Sequence, residues 1–330
     1  MSVKDQVLLL LEENKGKPMS GEEMASRLSV TRASVWKAVK SLSTQGYQIE
    51  AVNNKGYTLR TSADGISEAF IENEIKKAGV GIKVNALETI DSTNNEVIRR
   101  ASQGFTEDLV VVAGEQTAGK GRRGRSFFSP AGTGIYISFL LHPQARATDA
   151  VKLTTLAAVA EAEAIEKITG TNTAIKWVND IWIDGKKISG ILTEGSASLE
   201  DGKFDYVVVG IGINVYEPEG GFPDEIKDVA GAICHDRESH ENLRNRITAQ
   251  LIVEFMKFYK QFPIPSYIEE YRKRCFVIGQ EVTIISPDHN KLSDEVVTVL
   301  GVDEECHLHV RHADGTESYL SSGEISIKTR

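Results

Sequence analysis

A chain of 330 residues, 41% hydrophobic and 26% charged, has the composition of an ordinary globular protein and is long for one core, so two or three domains are expected. It has no apolar run of about eighteen residues, and Met1-Ser2-Val3-Lys4-Asp5 lacks the apolar core of a signal peptide, which excludes a membrane class and points to the cytoplasm. The net charge of -9 argues against wholesale nucleic-acid binding, but residues 1–62 hold nine Lys/Arg against six Asp/Glu, leaving -12 on the remainder, so any DNA contact belongs to the N-terminal part.

Residues 5–13, with Val7, Leu8 and Leu11 apolar, predict a helix closed by Asn14-Lys-Gly-Lys-Pro18. Ser20 with Glu23 reads as a capping box for a second helix to Leu28, and Thr31 as the cap of a third, running to about Gln45 and stopped by Gly46. On that third helix Val35, Ala38, Val39 and Leu42 share the inward face, leaving Arg32, Ser34, Lys37 and Lys40 outward. Strands Gln48–Val52 and Tyr57–Leu59 flank an Asn53-Asn54-Lys55-Gly56 turn. Three helices and a hairpin in this order predict a winged helix-turn-helix whose DNA contacts are Arg32, Ser34, Lys37, Asn54 and Lys55. The alternative is a small helical interaction module.

A linker, Thr61–Gly65, leads to a helix over Ser67–Ala78 and a strand over Val84–Ile90. Asp91-Ser92-Thr93-Asn94-Asn95-Glu96 heads the next helix, either as a simple N-cap or as a set of hydroxyl and amide groups offered to a small polar ligand. Between apolar strands Leu109–Ala113 and Ile135–Leu141 lies a long loop whose four cations, Lys120, Arg122, Arg123 and Arg125, alternate with glycines. Freed backbone N–H groups and guanidinium forks suit carboxylate and phosphate oxygens. The spacing fits neither a Walker A loop nor a dinucleotide fingerprint, and a solvated or nucleic-acid-facing segment would look the same.

Asp149 and Gly170 bracket a long helix, and Ala174–Trp177 is a strand. An Asp184-Gly185 turn then folds Ile181-Trp182-Ile183 against Lys186–Glu194. Counting back from the turn sets Ile183 opposite Lys186, Trp182 opposite Lys187 and Asp180 opposite Ser189, which makes Asp180 and Lys187 diagonal neighbours on one face. They form either a site or an ordinary ion pair. Tyr206–Val215 is apolar on both faces and must be a central strand. Gly210 and Gly212 weaken it, so a ligand or a packed helix approaches its backbone closely. Glu217–Val229 reads as a mobile lid, followed by helices from about Glu241 to Tyr259 and to Arg274. Five short strands from Gln280 onward predict a small β-barrel. Cys234, Cys275 and Cys306 are too scattered for a zinc site or a disulfide framework.

Three motifs occur in one order: Gly119-Lys-Gly-Arg-Arg-Gly-Arg125, Lys176-Trp-Val-Asn-Asp180 with Lys187-Ile-Ser-Gly-Ile-Leu192, and Gly210-Ile-Gly-Ile-Asn214. With the flanking domains they resemble the bifunctional biotin protein ligase and biotin operon repressor family over essentially the whole chain. The resemblance implies an α+β multidomain protein: a winged helix-turn-helix over 1–62, a class II aminoacyl-tRNA synthetase-like mixed α/β ligase domain over 66–274, and an SH3-like barrel over 275–330. It implies a ligase that condenses biotin with ATP, assisted by Mg²⁺, to biotinyl-5'-AMP and passes biotin to a lysine of a biotin carboxyl carrier protein domain. The adenylate-bound protein would also dimerise and repress at operator DNA. The alternatives are a DNA-binding biotin sensor with weak or no ligase activity and, more remotely, a lipoate ligase.

Carried over by position, the resemblance makes Ser92, Thr93, Asn94 and Gln116 partners of the biotin head group and Lys120 and Arg122 holders of its carboxylate. Gly190, Leu192 and Gly210 would line its ring and chain. Arg122, Arg125, Phe127, Lys176, Asn179 and Asn214 would face ATP, with Lys328 and Glu324 approaching from the last domain. Lys187 would bridge carboxylate and α-phosphate, and Asp180 would hold magnesium or orient the incoming lysine. Lys187, Arg122 and Asp180 are thus the catalytic candidates. Four positions depart from the family pattern: Lys120 and Lys328 stand where Arg is usual, Val178 where Pro is, and Phe127 where Trp is.

Overall fold

The computed structural model describes residues 2–14, 16–44, 49–53, 55–59, 65–235, 242–285, 295–321 and 324–327. Asn54, Gly46, Lys328 and nearly all of the 61–65 linker lie outside these, as does the side chain of Glu324.

The N-terminal part has helices α1 (Val3–Glu13), α2 (Gly21–Leu28) and α3 (Arg32–Thr44), then strands β1 (Ile49–Val52) and β2 (Gly56–Leu59), paired from Ile49↔Leu59 to Val52↔Gly56. Val7, Leu8, Leu11, Met24, Val35, Leu42 and Leu59 close its own core. Ser20 caps α2 by accepting from the Glu23 amide at 3.0 Å. The Glu23 carboxylate pairs with Arg27 at 2.8 Å instead of reaching back, so among the described bonds only half of the expected capping box is present. A full one stands at α1, where Ser2 and Asp5 cap reciprocally.

The middle of the chain is a seven-stranded sheet in the order β3-β4-β5-β9-β8-β7-β6. Its strands are β3 (Lys83–Ile90), β4 (Leu109–Gln116), β5 (Gly134–Leu141), β6 (Ala174–Lys176), β7 (Asp180–Ile183), β8 (Lys186–Ala197) and β9 (Phe204–Asn214). Only β3 and β4 run parallel; the other pairs are antiparallel. Period-two alternation divides the residues between two faces. On one face Val110, Ile137, Phe139, Val209 and Ile211 pack beneath helices α4 (Glu68–Lys77), α6 (Ala150–Thr169) and α7 (Leu243–Tyr259), with the Phe139 and Phe255 rings stacked at 4.1 Å. On the other, α5 (Thr93–Ser102) is the one described helix that covers the sheet, through Val97 against Leu109, Val111, Leu140 and Val208. The rest of that face lies beneath the 119–127 loop, with hollows between the two. α6 ends as expected on Gly170, at φ 74°.

Helix α8 (Ile268–Arg274) leads into β10 (Glu281–Ile285), β11 (Glu295–Val302), β12 (Leu308–Arg311), β13 (Glu317–Leu320) and β14 (Glu324–Ile327), an antiparallel sheet in the order β13-β12-β11-β10-β14. It is anchored to the middle of the chain through Cys306: the Trp177 indole donates to its carbonyl at 3.1 Å and Thr155 Oγ1 donates to its Sγ at 3.2 Å.

Candidate active site

Across the loop-covered face the strand register aligns Lys176, Asp180, Gly190, Gly212 and Tyr136 in one transverse row, with Leu192, Gly210 and Ser138 in the next. The glycines make a side-chain-free floor. The two partners that use it come from a helix and a loop. A Cβ at residue 210 would collide with the Asn94 carboxamide, and one at 212 would lie 2.5 Å from Phe127 Cε1. The close approach expected over these glycines is therefore made by the head of α5 and by an aromatic ring of the basic loop.

Ser92, Thr93 and Asn94 are buried, but Ser92 makes no side-chain cap to α5. Ser92 stands at the N-cap position without a side-chain cap, and it is Thr93 and Asn94 behind it that are tied sideways. Gln116 Oε1 accepts from the Thr93 amide at 2.8 Å and from its hydroxyl at 3.1 Å, while Gln116 Nε2 donates to Ser129 at 3.0 Å. Ser138 Oγ lies 2.7 Å from Thr93 Oγ1 and 2.6 Å from Asn94 Oδ1, and Asn94 Nδ2 donates to Glu194 at 2.7 Å. Such a buried, interlinked set fixes donor and acceptor directions and can read a small polar head group. Asp91 is turned away onto the Arg99 fork, which holds its carboxyl below the usual carboxylate range.

The basic loop folds over the sheet. A bridge of Lys120 with Ser126, the Gly121 amide on the Arg125 carbonyl at 2.7 Å and a single turn at Arg122–Gly124 shape it. Arg122 Nη1 donates to Asn179 Oδ1 at 2.8 Å, and Asn179 is fixed in turn by donating to the Ile191 carbonyl at 2.9 Å. Lys187 Nζ lies 2.7 Å from Asp180 Oδ1. The expected register needs one correction: a bulge at this pairing sets Asp180 opposite Gly190 and Ile181 opposite Ser189. Asp180 still meets Lys187, while Ser189 turns to the helix side. There Ser189 faces Glu161 of α6, whose wholly buried carboxyl is pushed up to about 8, first by desolvation.

Two adjoining hollows lie on this face. The inner one is lined by the predicted Ser92, Thr93, Asn94, Gln116, Lys120, Gly190, Leu192 and Gly210. The outer one is lined by Arg122, Arg125, Phe127, Asn179, Asp180 and Lys187. Lys176 and Asn214 share the face but border neither hollow. Lys176 Nζ sits 5.8 Å above the Trp182 ring, and Asn214 Nδ2 donates to the Gly231 carbonyl at 3.0 Å. Asn214 thereby holds the chain just past Glu217–Val229, the segment expected to be a lid, whose end is held by the Lys187 amide on Val229 at 2.8 Å and Lys186 Nζ on Asp228 at 2.8 Å.

Ser138, Glu194 and Ser129 are site residues that the sequence reading missed. Ser138 was signalled as the one serine inside the largely apolar Gly134–Leu141 strand. In the N-terminal unit Trp36 was missed; it is 51% exposed on α3, with Lys40 Nζ 5.1 Å from its ring. The helical period puts it between Arg32 and Lys40 on the outward face.

Profiles of three families match the chain: the HTH domain at 3–58, the biotin/lipoate A/B protein ligase family at 86–214 and the biotin protein ligase C terminal domain at 277–328. The bifunctional ligase/repressor BirA of Bacillus spizizenii is 36% identical, over 92% of this chain and 92% of its own length, and that of Bacillus subtilis is 34% identical over the same shares. Among solved structures, the biotin protein ligase of Aquifex aeolicus in complex with biotin and ATP superposes with a TM-score of 0.58 and 26% identity, covering 75% of this chain and 99% of that one. Three profiles in the expected order, together with relatives matched along nearly their full length, place the chain in the family of bifunctional biotin protein ligase/repressors.

Proposed function

We propose that the two hollows receive biotin and ATP and that the carboxylate of the first attacks the α-phosphorus of the second, giving biotinyl-5'-AMP and pyrophosphate. The carrying observation is the placement of Lys187 and Arg122 in the cationic outer hollow, which shares Lys120, Phe127, Gly190 and Leu192 with the polar inner one, and Lys187 Nζ lies 3.3 Å from where a Cβ on the shared Gly190 would stand. Two unit charges about 4 Å apart repel by about 4 kcal/mol at an effective dielectric near 20. That is roughly a thousandfold in rate. Fixed cations at the reacting oxygens remove the barrier: Lys187 at carboxylate and α-phosphate, Arg122 and Arg125 along the phosphates. Gln116, Thr93, Asn94 and Ser92 orient the head group. Phe127 and Lys120 close over the chain and keep water from the mixed anhydride.

Among the described residues no group of three metal ligands exists. Mg²⁺ carried on a nucleotide needs only one or two protein carboxylates, and Asp180, the acidic group lining the outer hollow, supplies one. When bound, the ion neutralises phosphate oxygens.

The second half-reaction delivers biotin to a lysine of a biotin carboxyl carrier protein domain, with Asp180 orienting the incoming amine. The N-terminal unit, 1–62, binds operator DNA through Arg32, Ser34, Lys37, Asn54 and Lys55. The adenylate-bound form pairs as a homodimer to repress. We assign the catalytic unit to 66–274 with a class II aminoacyl-tRNA synthetase-like sheet, and the last unit, 275–330, to an SH3-like barrel that brings Glu324 and Lys328 toward ATP. Among the described residues no helix is long and apolar enough to cross a membrane, in keeping with work in the cytoplasm.

Exchange of labelled pyrophosphate into ATP tests the first step. It should require biotin; biotin-independent exchange, or none, would contradict the reading.

A further inference from the structure

Strands β4 and β5 pair from Leu109↔Leu140 as far as Ala113↔Tyr136. Beyond that point β4 runs on to Gln116 beside β3, while β5 begins at Gly134 beside β9. The strands part like the prongs of a fork. The basic loop leaves from one tip and returns to the other.

Into this fork reaches Arg244, from the first turn of α7, 1% exposed. Its Nε donates to the Gly134 carbonyl at 2.6 Å and its Nη2 to the Gly114 carbonyl at 3.4 Å, so it reaches both prongs. A guanidinium cannot discard its proton when buried, so it must keep such acceptors. Its planar fork fixes their separation, which a flexible ammonium would not.

The spacing at the prongs is passed outward. Two residues beyond Gly114, the Gln116 amide donates to the Ser129 carbonyl at 3.1 Å, and the Phe127 amide donates to the Gly119 carbonyl at 2.9 Å, so the two legs of the loop are tied rung by rung. Gln116 also holds Thr93, and Phe127 lies over Gly212.

We propose that Arg244 is a positioning residue for adenylate formation: bridging both prongs, it sets how Gln116, Lys120 and Phe127 are seated over the site without touching a substrate. This rests on the ligase reading only for the word adenylate; the seating itself concerns the protein alone.

The test is hydrogen exchange of the ligand-free, full-length protein, comparing Arg244→Met, Arg244→Lys and, as a control for plain destabilisation of α7, Ile247→Ala. Peptides covering 114–129 should exchange at least about tenfold faster in Arg244→Met, the factor set by about 1.4 kcal/mol. Arg244→Lys should recover part of this, and Ile247→Ala should leave those peptides as in wild type. In steady-state assays Arg244→Met should raise the KM for biotin and ATP more than it lowers kcat. Wild-type exchange in a folded Arg244→Met, or an equal rise in Ile247→Ala, would overturn the proposal. Should Arg244→Met not fold, Arg244→Lys is read alone, and wild-type exchange in it would have the same force. Because exchange needs no ligand, inactivity of the wild-type protein would sink the ligase reading and leave this one standing.

Discussion

The Asn94 carboxamide occupies the place where a side chain at residue 210 would begin, so helix α5 and strand β9 meet at the site only because that residue is glycine. Gly210→Ala should keep the fold but displace Asn94 from Ser138 and Glu194. Overpacking of this kind costs about 1–3 kcal/mol, so biotin should bind roughly tenfold to a hundredfold more weakly. Adding Asn94→Ala to Gly210→Ala restores the space. Titration calorimetry on the two single variants and the double should therefore give strongly non-additive losses, and additive losses would show that the two residues act separately.

Lys187 and Asp180 form a largely buried ion pair, their side chains 32% and 18% exposed, whose attraction is mostly offset by desolvation. Lys187→Ala, which leaves the Asp180 carboxylate without this partner, should keep the fold at a lowered melting point and form adenylate about a thousandfold more slowly, the loss of one cation at the reacting oxygens. Measured pyrophosphate release near the wild-type rate would remove Lys187 from the chemistry.

The Asp184-Gly185 turn made the β7–β8 pairing legible: Ile183 opposite Lys186 and Trp182 opposite Lys187 follow from it. The bulge one step later was not legible, because it depends on Ser189 turning toward α6, a tertiary matter. The glycines of β9 announced a close approach, but not that Asn94 and Phe127 would make it, since those contacts join residues far apart in sequence. Glu194 carried no signal of its own, since its partner lies a hundred positions earlier. Arg244 was likewise hidden, one charge among the polar positions of an amphipathic helix.

Glu161 predicts a pH effect on stability. Its carboxyl is raised to about 8 in the folded protein by burial, against 4.5 when exposed. Between those values the folded state holds a proton that the unfolded chain has released, so stability falls as pH rises, by roughly 1.4 kcal/mol per unit. The fall is complete above the folded value. Glu161→Gln lacks this titration, so its stability relative to wild type should grow from pH 5 to 8 and then level off in denaturant melts. A constant difference across that range would show that Glu161 ionises normally.

Trp36 and Lys55 separate two kinds of DNA contact. Trp36 is uncharged and exposed on α3, so Trp36→Ala should weaken operator binding at every salt concentration with the slope unchanged. Lys55→Ala should flatten the salt dependence by roughly one unit. Filter binding across a salt series distinguishes them; an unchanged slope in Lys55→Ala would take the wing off the backbone.

The most direct trial of the account is to incubate the protein with labelled biotin, Mg-ATP and a carrier domain, and to locate the label by mass spectrometry. Gathering of biotin and ATP onto Lys187 and Arg122 predicts label on one carrier lysine with the wild-type protein and almost none with Lys187→Ala. With Arg122→Gly, whose bond to Asn179 is gone, label should scatter over bystander lysines. No label on the carrier with the wild-type protein, or the same single label with all three, would contradict it.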